Sequence, residues 1–216
     1  MKLLTTLAAL ALTAAAHAQF CDVSDTDKFA WGENIGWLNF RDAGTPAASG
    51  GLVVLGDHVG GWVWGENVGW ISLGASTSSI DGPYSNATGP THGVNLNPAT
   101  GALTGYAWGE NIGWINFGGG ALATPAKPAR IDFAARRLRG YAWGENIGWI
   151  NLDDGTSYVG LRCPADFDGS GFVNGVDFDE FVEAFYYGLP EADFDRSTFV
   201  NGVDFDSFIE AFVAGC

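Results

Sequence analysis

Positive charge is scarce in this chain, and its scarcity narrows the choice of partners. Ten Lys and Arg stand against 25 Asp and Glu, which gives a formal net charge of −15 at pH 7. Because an acidic surface repels phosphate backbones, we expect no nucleic-acid partner. Long apolar runs are scarce too, since outside residues 3–15 none approaches the roughly 18 residues that a membrane-spanning helix needs. We therefore expect no membrane insertion.

The first 18 residues have the features of a secretory signal peptide. Lys2 precedes the uncharged apolar run, and Ala16-His17-Ala18 forms a small-x-small cleavage site. We therefore expect bacterial export, to the extracellular space or the cell surface, of a protein that begins near Gln19. Composition then divides the remainder into two predicted domains, residues 19–162 and 163–216.

Cysteine is limited to three residues, Cys21, Cys163 and Cys216. Export permits disulfide bonds. We favour the pair Cys163–Cys216, because it brackets an acidic 54-residue segment with little core, which a covalent link would stabilise most. Pairing of Cys21 with Cys163 is the alternative, and it would close the preceding region instead.

A seven-residue motif occurs four times in residues 19–162. It reads WGENIGW from Trp31, Trp108 and Trp143, and WGENVGW from Trp64. Short segments rich in aromatic and β-branched residues, bounded by Gly, Asn and Asp, surround each copy, as is typical of strands. Each unit is predicted to be a short antiparallel meander. We expect the four meanders to form an all-β repeat domain with a propeller-like, sandwich-like or solenoid-like arrangement.

Alternation along the last strand of each unit predicts its buried face. Two alternate positions are apolar in every copy, and we expect these residues in the core: Leu38, Phe40, Ile71, Leu73, Ile115, Phe117, Ile150 and Leu152. The opposite face carries the second tryptophan of each motif and is expected to be half-buried.

Two interpretations of the motif stay open. In the structural one, the tryptophans pack across a hairpin while Gly and Asn provide turn conformations. In the functional one, Trp, Glu and Asn form a shallow polysaccharide-binding site in each repeat, and the candidate ligand-binding residues are Glu33, Glu66, Glu110, Glu145, Trp37, Trp70, Trp114 and Trp149. The glutamates are the narrower clue, because turn geometry does not require an acid there.

Catalysis is not expected from the repeats. It needs an acid and a base with different environments, whereas four near-identical copies supply equivalent groups. No Ser/His/Asp, phosphate-loop or zinc-ligand spacing occurs. A carbohydrate-active hydrolase with an unrecognised site remains a third hypothesis.

Two segments of the acidic C-terminal region have the spacing of a calcium loop. DFDGSGFVNGVD begins at Asp166, and DFDRSTFVNGVD begins 27 residues later at Asp193. Calcium takes about six to eight oxygens from such a loop, which needs a sharp turn at its middle. The predicted ligands of loop one are Asp166, Asp168, Ser170, the Phe172 carbonyl, Asn174 and Asp177, and those of loop two are Asp193, Asp195, Ser197, the Phe199 carbonyl, Asn201 and Asp204. Thr198 replaces the turn glycine in loop two, which predicts a weaker second site.

Each loop is followed by an amphipathic pattern with helical spacing. The apolar stripes are Phe178, Phe181, Val182 and Phe185, then Phe205, Phe208, Ile209 and Phe212. This spacing predicts two helices that bury their stripes against each other.

The duplicated loop–helix pattern resembles the type I dockerin family, the small calcium modules of secreted bacterial proteins. The resemblance rests on DFDGSGFVNGVDFDEF and DFDRSTFVNGVDFDSF, and covers 54 of the 216 residues. It implies two calcium ions, calcium-dependent folding, and docking to a cohesin-like or cell-surface partner in a polysaccharide-degrading assembly. The family reads its partner partly at the two residues before the last ligand. Here they are Gly175-Val176 and Gly202-Val203, which implies a different partner or a module that only caps the protein.

Together these patterns predict a secreted, non-catalytic calcium-binding protein that docks through its C-terminal module. Glycan binding by the repeats is the alternative function.

Overall fold

The computed structural model describes residues 22–43, 50–74, 83–195, 197 and 199–215. The predicted signal peptide, Cys21, Thr198 and Cys216 lie outside these residues. Within the described ranges, no helix is long and apolar enough to cross a membrane.

Fourteen strands, two α-helices and three short 3₁₀ helices (Gly89–Thr91, Gly119–Leu122 and Pro190–Ala192) form the regular structure of the described chain. In chain order the strands and α-helices are β1 (Val23–Gly32), β2 (Gly36–Asn39), β3 (Val53–Leu55), β4 (His58–Gly60), β5 (Trp62–Gly65), β6 (Gly69–Ser72), β7 (Val94–Leu96), β8 (Leu103–Gly109), β9 (Gly113–Asn116), β10 (Arg130–Asp132), β11 (Arg137–Arg139), β12 (Tyr141–Gly144), β13 (Gly148–Asn151), β14 (Val159–Leu161), α1 (Gly175–Tyr187) and α2 (Gly202–Ala214).

Eight strands close into an antiparallel barrel, and they are the two strands of each WGEN hairpin. Around the barrel they follow chain order, β1-β2-β5-β6-β8-β9-β12-β13, and the pairing of β13 with β1 closes the ring. The expectation of an all-β region followed by helices is confirmed. The propeller-like, sandwich-like or solenoid-like arrangement is wrong, because Leu38 of β2 pairs with Gly65 of β5 and the hairpins therefore share one hydrogen-bonded sheet. Closure also leaves these strands without exposed edges.

Side chains of unequal size fill the barrel interior. In each hairpin a smaller inward residue lies opposite a larger one, in the pairs Ala30–Leu38, Val63–Ile71, Ala107–Ile115 and Ala142–Ile150. All of them are buried, as are Phe40, Leu73, Phe117 and Leu152, so the predicted inner face is confirmed. An eight-stranded barrel is just wide enough for side chains to fill it in this way.

The remaining strands extend the sheet beyond the barrel. The β3–β4 hairpin continues through β7 to β8. On the other side β10 and β11 join β14, which pairs with β1. The third hairpin is thus preceded by β7 and the fourth by β10 and β11.

The helices pack through the predicted apolar stripes and form a core separate from that of the barrel. The rings of Phe181 and Phe208 are fully buried and stack with centroids 3.9 Å apart and planes 7° apart. Asn174 caps the N-terminus of α1 and Asn201 that of α2, each with a side chain that accepts a hydrogen bond from the helix backbone. The predicted helix pair is therefore confirmed.

Candidate functional site

The two glycines of each motif are required by the packing of the turn. A Cβ on the first glycine would collide with the Ile or Val three residues later, at distances of 2.3–2.7 Å for the pairs Gly32–Ile35, Gly65–Val68, Gly109–Ile112 and Gly144–Ile147. These Ile and Val side chains are buried, so they fill the barrel at its turn end. The second glycine has φ between +75° and +80° in all four copies, at Gly36, Gly69, Gly113 and Gly148, and other residues adopt this conformation only at a cost.

The asparagine of each motif joins its hairpin to the preceding one. Its Nδ2 donates to the backbone carbonyl of the neighbouring turn, in the four bonds Asn34 to Ile147 (3.2 Å), Asn67 to Ile35 (3.1 Å), Asn111 to Val68 (3.0 Å) and Asn146 to Ile112 (3.1 Å). Because the first turn bonds to the fourth, the bonds form a closed ring, which we call the asparagine ring. The asparagine that recurs in all four copies thus has a structural role, which is to link neighbouring turns of the barrel.

The tryptophans of the motif lie on the outer wall of the barrel, since they alternate with the inward residues. Three hairpins show the predicted cross-strand ring contacts, with centroids 4.8, 4.7 and 4.5 Å apart for Trp31–Trp37, Trp64–Trp70 and Trp108–Trp114. A third aromatic residue contacts the second tryptophan in every hairpin at 6.2–6.4 Å; it is Phe29, Trp62, Tyr106 or Tyr141. This residue lies two positions before the first tryptophan of the motif and is aromatic in all four copies. The sequence therefore shows it, although it lies outside the seven-residue motif.

The four motif glutamates lie at the turns that the asparagine ring connects. All are exposed at the turns, and none belongs to a group that brings three metal-ligating atoms within 4.8 Å of one another in the described part of the chain. The structure places Trp on the wall, Asn in the ring and Glu at the exposed turn. The functional interpretation of the motif as a ligand-binding site stays a prediction.

The aspartates of the first predicted calcium loop do converge. Carboxylate oxygens of Asp166, Asp168 and Asp177 lie within 4.8 Å of one another. Gly171 occupies the middle of the loop with φ +89°, as predicted for the sharp turn. Asp177 is fully buried, and its two oxygens accept hydrogen bonds from the backbone N–H groups of Asp168 (3.1 Å) and Asn174 (2.8 Å). The last ligand position therefore also holds the loop against the start of α1.

The second loop repeats this geometry. Asp193, Asp195 and Asp204 form an equivalent triad. Asp204 is fully buried and accepts from the N–H groups of Asp195 (3.0 Å) and Asn201 (2.8 Å). Thr198 lies outside the described residues, so the expected weakness of this loop stays a prediction.

The first triad carries charge that the described protein groups leave uncompensated. Oδ1 of Asp166 is buried without a hydrogen-bond partner, whereas its Oδ2 accepts from the N–H of Gly171 at 2.9 Å. Among the described residues, no Lys or Arg forms an ion pair with these three carboxylates. Like charges this close destabilise one another, and a divalent cation bound between them would remove that repulsion.

Hydrogen bonds from serine favour the ionised carboxylates that a cation needs. The side chain and backbone of Ser170 hold the pKa of Asp168 below its ordinary value. Burial by itself would raise the pKa of Asp195, but hydrogen bonds from Ser197 outweigh it and lower that pKa. Both groups are therefore charged at neutral pH, as metal ligands must be.

The other predicted ligands point elsewhere in this structure. Oδ1 of Asn174 accepts from the N–H of Val176 (2.9 Å) and so caps α1. Its Nδ2 and the Ser170 hydroxyl both donate to the Phe172 carbonyl, at 3.2 and 3.3 Å. Loop two has the same pattern around the Phe199 carbonyl. Coordination by these carbonyls would replace those two bonds, so the aspartate triads are the preformed part of each site.

Cys163 is buried and disulfide-bonded. Both possible partners, Cys21 and Cys216, lie outside the described residues, so the pairing stays a prediction.

No protein-family model, curated protein or solved structure matches this chain.

Proposed function

We propose that residues 163–216 form a dockerin-like module that binds two calcium ions, and that this exported, non-catalytic protein docks through the module to a cohesin-like or cell-surface partner. The observation that carries the proposal is the occurrence of the same aspartate triad twice, at the same loop positions and against the same helix start.

The chemistry of the donors favours calcium. Each triad offers three carboxylates, and the loop supplies further oxygens from Ser, Asn and a backbone carbonyl. Calcium accepts many oxygens in flexible geometry, whereas magnesium needs near-ideal octahedral geometry and retains its waters. With three carboxylates per loop, we expect affinities of about 10⁻⁴–10⁻³ M, which are typical of extracellular calcium modules.

Calcium binding is expected to be linked to folding, because each loop contributes a ring to the helical core. Phe167 of loop one packs against Phe181 with centroids 5.6 Å apart, and Phe194 of loop two packs against Phe208 at the same distance. Fixing the loops with calcium would therefore hold both sides of the Phe181–Phe208 stack.

Apolar side chains around the two helix starts support docking to a protein. Phe172 is 76% exposed and Val176 50%, and the equivalent Phe199 and Val203 are 73% and 55% exposed. The two patches have the same composition because the loops are duplicated. Exposed apolar residues that recur in equivalent positions favour a partner that contacts one patch or both.

Calcium titration of the mature protein tests the metal part of the proposal. At about 10 mM calcium, binding with the expected affinity stabilises the folded module by roughly 1.4–2.7 kcal/mol per site. We expect a calcium-dependent rise in the temperature at which helical circular dichroism is lost. The Asp166→Ala/Asp193→Ala variant should lose this response. The matched control Asp179→Ala/Asp206→Ala removes two exposed helix acids and should retain it.

An unchanged melting curve and no calorimetric heat on calcium addition would overturn the metal proposal. An equal response of the two variants would show that calcium binds only to the general acidic surface.

Surface plasmon resonance against immobilised cohesin domains tests the docking part. We expect binding in calcium that EGTA abolishes and that Phe172→Ser/Phe199→Ser weakens. Absence of binding to the cohesins, with the calcium response intact, would remove docking to cohesin from the proposal.

A further inference from the structure

We propose that the outer wall of the first two hairpins binds a neutral polysaccharide through five tryptophans. We call this surface the tryptophan face, and it consists of Trp31, Trp37, Trp62, Trp64 and Trp70. It does not include the motif glutamates or the asparagine ring, and it is independent of the proposed calcium module.

The five rings lie on two neighbouring hairpins of the barrel wall. Trp31 and Trp37 are in contact within the first hairpin, and Trp70 contacts both Trp64 and Trp62 within the second. Register places Asn39 of β2 directly opposite Trp64 of β5, so the two groups are adjacent across the β2–β5 pairing.

The exposed area is large for residues of this kind. The five tryptophans are exposed by 42%, 47%, 37%, 36% and 46%. At about 250 Å² for a whole tryptophan, these fractions correspond to roughly 500 Å² of exposed aromatic surface. A contiguous apolar patch of this size is at the upper end for a monomeric protein and is typical of an interaction site.

The fourth hairpin shows how the chain covers such rings, whereas Trp114 of the third stays 42% exposed although the imidazole of His92 packs against it with centroids 5.2 Å apart. Gly119 lies against Trp143 so closely that an added Cβ would be 2.8 Å from the Trp143 Cβ. Trp143 and Trp149 are correspondingly only partly exposed. The first two hairpins keep equivalent rings exposed, which would cost solvation free energy without a ligand.

Charge and ring chemistry favour a neutral polysaccharide over a second copy of the chain. Two copies would each carry a net charge of −15 and repel one another. The other outward residues beside the rings of β2 and β6 are uncharged, namely Asn39 and Ser72. Aromatic faces are electron-rich and attract the slightly positive C–H groups on a pyranose face. Equivalent ring pairs on adjacent hairpins also match a ligand made of repeated units.

Affinity gel electrophoresis of the mature protein tests this proposal with three soluble polysaccharides: hydroxyethyl cellulose, xylan and, as an anionic comparison, polygalacturonate. We expect retardation by at least one neutral polymer. The Trp37→Ala/Trp70→Ala variant should bind about tenfold more weakly. The matched variant Trp149→Ala changes the equivalent, less exposed ring and should bind as the parent does. Near-ultraviolet circular dichroism identifies variants that have lost the fold, and Trp37→Phe then replaces the alanine change.

Three outcomes would overturn the proposal: no retardation by either neutral polymer, equal loss of binding in the Trp149→Ala control, or a concentration-dependent dimer that Trp37→Ala/Trp70→Ala abolishes. The last would identify the tryptophan face as a self-association surface. The calcium response is unaffected in all three cases, so this test and that of the proposed function fail independently.

Discussion

Replacing Asn111 by alanine tests the asparagine ring most directly. Its Nδ2 donates to the Val68 carbonyl at 3.0 Å, between hairpins whose turns are 43 residues apart. A typical hydrogen bond contributes about 0.5–1.5 kcal/mol, and leaving the part-buried carbonyl without a donor adds some of its desolvation cost. We therefore expect Asn111→Ala to lower the free energy of unfolding by about 1–2 kcal/mol, and the melting temperature by roughly 2–8 °C for a chain of this size.

Urea unfolding followed by tryptophan fluorescence measures this effect in the barrel alone, because all nine tryptophans lie between residues 31 and 149. Asn111→Asp is the sharper variant. It has nearly the same shape, but its carboxylate cannot donate to the Val68 carbonyl and repels it, so the loss should exceed that of alanine. Glu110→Ala is the control, because this neighbouring side chain is exposed, and its effect should stay within about 0.5 kcal/mol.

Two results would refute the reasoning about the asparagine ring. One is an Asn111→Asp variant as stable as the parent, which would mean that no donor is needed at this position. The other is equal destabilisation by Glu110→Ala and Asn111→Ala, which would assign the effect to the turn backbone instead.

Two further predictions concern packing and pairing. Gly109→Ala should lower the free energy of unfolding by about 1–3 kcal/mol, because its Cβ would lie 2.7 Å from Cγ1 of Ile112. The control Gly155→Ala should be nearly neutral, because an added Cβ there meets nothing within 4 Å. Equal urea midpoints for the two variants would contradict this account. Non-reducing peptide mapping should find Cys21 linked to Cys163, because Val23 pairs with Leu161 and the Arg162 N–H donates to the Asp22 carbonyl at 2.7 Å. One further position in this register would bring residue 21 opposite Cys163. A peptide linking Cys163 to Cys216 would contradict the register and support the pairing favoured from sequence.

The aspartate triads and the two helices could be predicted from the sequence because their determinants are local. Asp166, Asp168 and Asp177 lie within 12 consecutive residues, and one loop conformation is enough to bring them together. The stripe spacing of α1 and α2 likewise follows from helix geometry, and the alternation of Leu38 and Phe40 from strand geometry. Such patterns fix which side chains share a face before any distant part of the chain is placed.

The roles of Asn and Trp in the WGEN motif depend on contacts between residues far apart in the chain, which the spacing of the motif does not reveal. Asn34 donates to a carbonyl 113 residues away, and this bond exists only because β13 returns to β1. The same closure places the tryptophans outside the barrel, where Gly119 covers the half-buried Trp143 while Trp37 and Trp70 stay exposed. A seven-residue repeat by itself determined a hairpin with two cross-strand aromatics. Only the tertiary structure decided that four hairpins share one closed sheet, because closure depends on backbone hydrogen bonds between the first and last hairpins.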